Sequence, residues 1–383
     1  MLKVQRVCLH LWDSQILYNS SRHFAKKSKV KSNHGSMSNP KPMVHQELMR
    51  YVNPYARINV YSDIFVRIQP ADVHQYTSGD ALIAQLHGDS VKNSNVSLNV
   101  DISDDEKVVN VLIKKSEEKS SKIFCQLNIP VRADLKVDAK DNVSVEGIQS
   151  EILDVKTDGI ITTKNCKANC ISLFSENGNI VCLGTLLGKH TEIETHNGNI
   201  FMEKLQGNVL NCSTQSGNIS TDCCYVEKSR FQTLTGRLEL KNVHKTSEVF
   251  VYQVGEINMT GVCGTLNVLT KGGILNVQLS ELIGENKIVA DNLVNEAVIN
   301  ISQVIEQDIH IDVRAPVIKL EDELKHVSHA LNEDSSQFLL KNENNHQLLV
   351  IGTSEKGVRL GKQSWSDMMR QKLEALGNAK IST

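Results

Sequence analysis

Three stretches decide how this chain is built: Ser175-Glu176-Asn177-Gly178-Asn179-Ile180, Thr195-His196-Asn197-Gly198-Asn199-Ile200 and Thr214-Gln215-Ser216-Gly217-Asn218-Ile219. Looser copies flank them at Thr157-Asp158-Gly159-Ile160-Ile161, Thr235-Gly236-Arg237-Leu238 and Val254-Gly255-Glu256-Ile257. The glycines at 159, 178, 198, 217, 236 and 255 follow one another at intervals of 19 or 20 residues. Self-similarity at such a period means one structural unit wound repeatedly.

Counting from each glycine exposes the unit. Two residues on stand Ile161, Ile180, Ile200, Ile219, Leu238 and Ile257. Four on stand Thr163, Cys182, Met202, Thr221, Leu240 and Met259. Seven on come Cys166, Leu205, Cys224, Val243 and Val262, and fourteen on come Leu173, Cys212, Phe231 and Phe250. Ser175, Thr214 and Thr233 occupy the sixteenth place, just before the next turn. Apolar residues alternating at period two are strand geometry, and the alternation breaks at Gly and Asn, which is turn chemistry.

One such unit cannot hide its apolar row, but a stack of them can, by placing identical ranks above one another. The reading is an all-β fold, a parallel β-solenoid with coils of about 19 residues, each strand lying about 4.8 Å above its copy. Glycine at the corner is expected to supply backbone angles with φ > 0. Asn179, Asn199 and Asn218 recur in register and are expected to stack as an amide ladder that satisfies itself. The column positions of Cys166, Cys182, Cys212 and Cys224 make them small buried hydrophobes.

Repeat fidelity fades at both ends, as capping requires. Residues 44–135 carry alternating strands without the repeat and are expected to form a β-rich cap. The solenoid is expected over 136–320. In 321–383, Gln337-Phe338-Leu339-Leu340 and Leu348-Leu349-Val350-Ile351 flank a polar turn and predict a hairpin. Ser364-Trp365-Ser366-Asp367 is a capping box opening an amphipathic helix with Trp365, Met369, Leu373 and Leu376 on one face. That helix is expected to cover the last coil, with a partner-binding role as the alternative.

The first 43 residues read as an address. Residues 1–46 hold eight Lys and Arg against the single acid Asp13, which leaves a formal net charge of -9 from Glu47 onward out of -2 overall. An amphipathic, Arg- and Ser-containing, acid-poor start has the composition of a mitochondrial transit peptide, and the expected location is the matrix. A secretory signal would want an unbroken apolar run, and His10 and Asp13 interrupt it; a disordered basic tail is the remaining alternative. No stretch reaches the roughly 18 apolar residues of a spanning helix.

Ile129-Pro130-Val131-Arg132-Ala133-Asp134-Leu135-Lys136-Val137, then Val143-Ser144-Val145-Glu146-Gly147-Ile148 and the Thr/Ser-x-x-Gly-x-Ile units, resemble the putative-adhesin domain family. That family has many bacterial members, a few animal ones and no defined function. The resemblance covers roughly residues 55–320 and implies a β-solenoid; the leader resembles that of animal members targeted to mitochondria. It brings no catalytic residues.

The residues themselves point to no catalytic, cofactor-binding or metal-ligating set. Asp158, Glu176, Glu194, Glu203 and Asp222 are scattered singly, whereas a glycan-cleaving β-helix needs clustered acids on one face. His196 sits at a turn with no Ser, Cys or carboxylate expected in matched register. The cysteines form no CxxC pair, and no phosphate-cradling glycine loop with Lys-Ser/Thr occurs. The function expected is a non-enzymatic scaffold holding a protein partner or a second copy. A hydrolytic or carbohydrate-active enzyme on the same frame is the alternative. A nucleic-acid module would need a basic, aromatic-studded stripe, which the acidic balance opposes.

Overall fold

The computed structural model describes residues 43–88, 95–116, 123–325, 327, 329–331, 336–342 and 344–362. The basic leader, apart from Met43, and the helix expected from Ser364 lie outside the described residues. The architecture is a parallel β-solenoid of about nine turns, 69% strand and 3% helix, which settles the class as all-β.

Its middle is four nearly whole coils, Ile161–Ser175, Ile180–Thr195, Ile200–Thr214 and Ile219–Thr233, each paired in parallel with the next. The expected ranks stack. Ile161 faces Ile180, then Ile200, Ile219, Leu238 and Ile257, all fully buried. Thr163, Cys182, Met202, Thr221, Leu240 and Met259 form a second buried column. One continuous core runs from end to end because every coil lends its inward row to the same columns.

One rank moves. Ile219 faces Leu238, nineteen residues on, but Phe231 faces Val249, eighteen on. Cys224 still bridges Val243 nineteen residues on, whereas Lys228 faces Thr246 eighteen on, so the coil loses its residue between Val243 and Thr246, where Lys245 (φ 67°) turns left-handed. A one-residue slip exchanges the faces of a strand. Val249 therefore points into the core and Phe250, expected inside, stands half-exposed on the outer face.

At both ends the order of layers departs from the order of sequence. Arg57–Ser62 and Val66–Pro70, within the stretch expected as a cap, already run parallel to Asp134–Ala139 and Val143–Glu146. Beneath them lie Val108–Lys115 and Phe124–Ile129, later in the chain but further out in the stack. Val96–Ile102 and Ala81–Gly88 close this end antiparallel, with Met43–Tyr51 beyond.

The far end repeats the device. Gln347–Gly352 sits between Glu285–Asp291 and His310–Arg314, and Val358–Lys362 sits between Ala297–Ile301 and Ile318–Leu320. The expected hairpin of 337–340 with 348–351 is therefore not formed: His310–Arg314 lies between its two arms, parallel to one and antiparallel to the other. Gln337–Leu340 pairs antiparallel with Ala330–Leu331 instead. Glu296 pairs with Lys319 at 2.9 Å and with Arg359, and Glu306 pairs with Lys362, so the acids flanking Ala297–Ile301 tie the inserted Val358–Lys362 in place.

Candidate interaction face

The glycine corner is the most regular part of the surface. Gly178, Gly198 and Gly217 do not take positive φ. Their reason is contact: a Cβ on any of them would run into the glycine carbonyl one coil below. The hydroxyl before each corner ties the coils together. Ser175 Oγ donates to the Gly159 carbonyl at 2.7 Å and accepts the Gly178 N–H at 2.8 Å. Thr195 does the same with Gly178 and Gly198, each at 3.1 Å.

The asparagine column works differently from a stack of amides. Asn179 Oδ1 accepts the Asn199 N–H, Asn199 Oδ1 accepts the Asn218 N–H and Asn218 Oδ1 accepts the Arg237 N–H, each at 2.8 Å. Each carboxamide thus satisfies a corner donor of the coil above. The amide ladder proper is two columns over, on the other side of the glycines, where Asn197 Nδ2 donates to Asn177 Oδ1 at 2.9 Å.

Beyond this corner the long outer side changes character along the axis. From Lys156 the column runs Phe174, Glu194, Ser213 and Gln232, polar except for one ring. After the one-residue slip it becomes Phe250, Leu269, Val289 and Ile351, four apolar residues in register and all half-exposed. Arg314 closes the far end in the same register, and the Arg230 guanidinium lies 4.8 Å over the Phe250 ring at the near end. The adjoining corner exposes Tyr252 at 39%, Val254 at 61% and Val294 at 63%. The apolar run is about 14 Å long at about 4.8 Å per rung. Four half-exposed apolar side chains in register, with an arginine at each end, form a strip whose chemistry suits contact with another apolar surface.

The residues weighed for chemistry mostly hold coils together. Glu176 Oε1 accepts from His196 Nδ1 at 3.0 Å, so a carboxylate does stand in register with this histidine, contrary to expectation. The His196 ring also meets Phe174 edge-on at 5.4 Å. Glu203 accepts the Gly184 N–H at 2.6 Å and Asp222 pairs with Lys241 at 3.4 Å. Among the described residues no group of three or more His, Cys, Asp or Glu is placed to hold a metal ion.

Cys166, Cys182, Cys212 and Cys224 are buried, as their columns require. Burial pushes the Cys182 and Cys224 thiols up to about 12, and the Cys212 thiol also well above its ordinary value. Cys125 is a further buried thiol raised to about 12 by burial. Cys170 is exposed.

No family model matches the chain. Among solved structures it is similar to a "putative adhesin" from Bacteroides fragilis NCTC 9343, at 16% identity and TM-score 0.38, over 60% of this chain and 98% of that one. It is also similar to one from Parabacteroides distasonis ATCC 8503, at 11% identity and TM-score 0.36, over 83% of this chain and 96% of that one. A third, from Parabacteroides merdae ATCC 43184, matches at 12% identity and TM-score 0.31, over 85% of this chain and 98% of that one. Among the described residues no helix is long and apolar enough to cross a membrane.

Proposed function

We propose that this chain is a non-enzymatic β-solenoid scaffold of mitochondria that seats a protein surface on the strip formed by Phe250, Leu269, Val289 and Ile351. One observation carries the reading: an apolar column in strict register on the outer side, where the same column in earlier coils is mostly polar. Three of the five carboxylates weighed for a hydrolytic reading are engaged between coils, Glu176 with His196, Glu203 with Gly184 and Asp222 with Lys241. The mitochondrial part rests on the leader, with its excess of basic residues over a single acid.

The test of the strip is Leu269→Glu with Val289→Glu. Both side chains face outward, so the fold should persist by circular dichroism while capture of the partner, or self-association in sedimentation, is lost. Unchanged capture and unchanged sedimentation would remove the strip from the account. For the location, a reporter carrying residues 1–40 should enter mitochondria; retention in the cytosol or entry into the secretory route would contradict it.

A further inference from the structure

A second surface of the solenoid has the opposite character. On the side that follows the left-handed residues Gly147, Asn165 and Gly184, a cleft of about 660 Å³ is lined by Tyr55, Arg132, Glu151, Asn169, Lys167 and Lys189, among others. It runs along the axis. The Val131 carbonyl accepts the Gln149 N–H at 2.8 Å, which seats the loop carrying Arg132 directly below the first rung. Gln149 then faces Lys167, and Lys167 faces Leu187, so Arg132 and Lys189 stand about three rungs, or about 14 Å, apart.

The charge in this cleft is unbalanced. Its three cations face one carboxylate, Glu151, and that carboxylate already accepts from Asn169. Nearby Asp134 is turned to backbone, accepting the N–H groups of Glu151 at 3.1 Å and Ile152 at 2.9 Å. Neither ammonium, of Lys167 or of Lys189, meets a carboxylate among the described residues. The two are diagonal neighbours on adjacent rungs, about 7–8 Å apart at their roots. Two like charges at that spacing repel each other, and an anion placed between them relieves the repulsion. The rest of the chain from Glu47 onward is net acidic, so this is a local departure from its field.

The other end of the cleft is aromatic. Arg132 donates to the Tyr55 hydroxyl at 2.9 Å and its guanidinium lies 5.9 Å from the ring centroid. Tyr55 is nonetheless 65% exposed, which leaves ring surface open to a second flat group. Between the aromatic end and the lysines the rung carries Gln149 and Ser150, with Glu151 beside them held by Asn169.

The geometry points to a binding site for a nucleoside polyphosphate, with the base stacked at Tyr55 and Arg132 and the phosphates between Lys167 and Lys189. The order of groups along the cleft matches the order of groups along such a molecule: flat ring, sugar hydroxyls, anionic chain. Stacking on an aromatic face tolerates any base, so the site selects phosphate number more than base identity.

The experiment titrates the described protein with ATP, inorganic triphosphate and adenosine at low ionic strength by calorimetry. ATP should bind tightest, triphosphate more weakly and adenosine least, with affinity falling as salt rises. Lys167→Glu and Lys189→Glu should each weaken ATP and triphosphate about tenfold. Tyr55→Ala should weaken ATP and leave triphosphate unchanged. All three positions are exposed, so circular dichroism should be unaltered, and Lys241→Glu, away from the cleft, should bind as the parent does. No binding of ATP or triphosphate, or binding indifferent to both lysines, would overturn the site. Triphosphate binding as tightly as ATP, with no effect of Tyr55→Ala, would overturn the nucleoside half of it.

Discussion

The carbonyl of Gly178 occupies the space that a side chain on Gly198 would need. The same relationship joins Gly159 to Gly178, Gly198 to Gly217 and Gly217 to Gly236, so one spine of bare backbone runs up the corner. Gly198→Val should destabilise the solenoid by roughly 1–3 kcal/mol, since two coils must part locally. Chemical denaturation would measure it. A neutral substitution would mean that the coils are not this close at the corner.

The asparagine column predicts a smaller effect. Asn199→Ala removes the acceptor for the Asn218 N–H without touching the core. The corner is exposed to water, so the expected loss is about 1 kcal/mol, the net worth of one such bond.

Thr221 predicts a gain. Its hydroxyl is buried, with no hydrogen-bond partner among the described residues, between Met202 on one rung and Leu240 on the next. Thr221→Val keeps the shape and removes the cost of burying an unpaired polar group, so stability should rise by about 1 kcal/mol. Thermal unfolding of the two proteins decides it.

The buried thiols set the alkaline limit. Cys182 and Cys224 keep their protons to about pH 12 when folded, whereas the unfolded thiols ionise near the ordinary thiol value of 9.0. Between those values the folded state binds more protons than the unfolded one, so stability falls as pH rises through that window. Below about pH 8 the thiols contribute no slope, because both states are protonated. Replacing Cys182 and Cys224 by Val should flatten the decline above pH 9 relative to the parent. Identical pH profiles would mean that these thiols are not buried.

The inserted strands predict how the C-terminal end fails. Ending the chain after His346 would leave Glu285–Asp291 and His310–Arg314 without the strand that joins them. Such a chain should lose the protection of amides in His310–Arg314 in hydrogen exchange, rather than only shed a tail.

The centre of the fold was legible because Gly, Asn and the inward aliphatics recur at one spacing, and parallel stacking turns equal rank into contact. Phe250 was misplaced because a single deleted residue, absorbed at Lys245 between Val243 and Thr246, reverses which side of the strand faces inward. That reversal created the apolar strip, so the candidate site was invisible to a count that assumed a constant period. Residues 57–70 and 347–362 join the stack beside partners distant in sequence, and no periodicity reports a layer laid down out of order. Lys167 and Lys189 sat in plain view, but their convergence depends on Arg132 and Tyr55, which the preceding loops bring below them.

The register itself is most directly tested by oxidising paired cysteines on the outer side, in a Cys170→Ser background. Ser213 faces Gln232 across one rung, whereas Arg230 is two residues out of step. Adjacent rungs place Cα atoms within disulfide reach, and a two-residue offset takes them beyond about 7 Å. Ser213→Cys with Gln232→Cys should close on mild oxidation and Ser213→Cys with Arg230→Cys should stay open. Closure of the second pair with failure of the first would contradict a parallel, in-register winding.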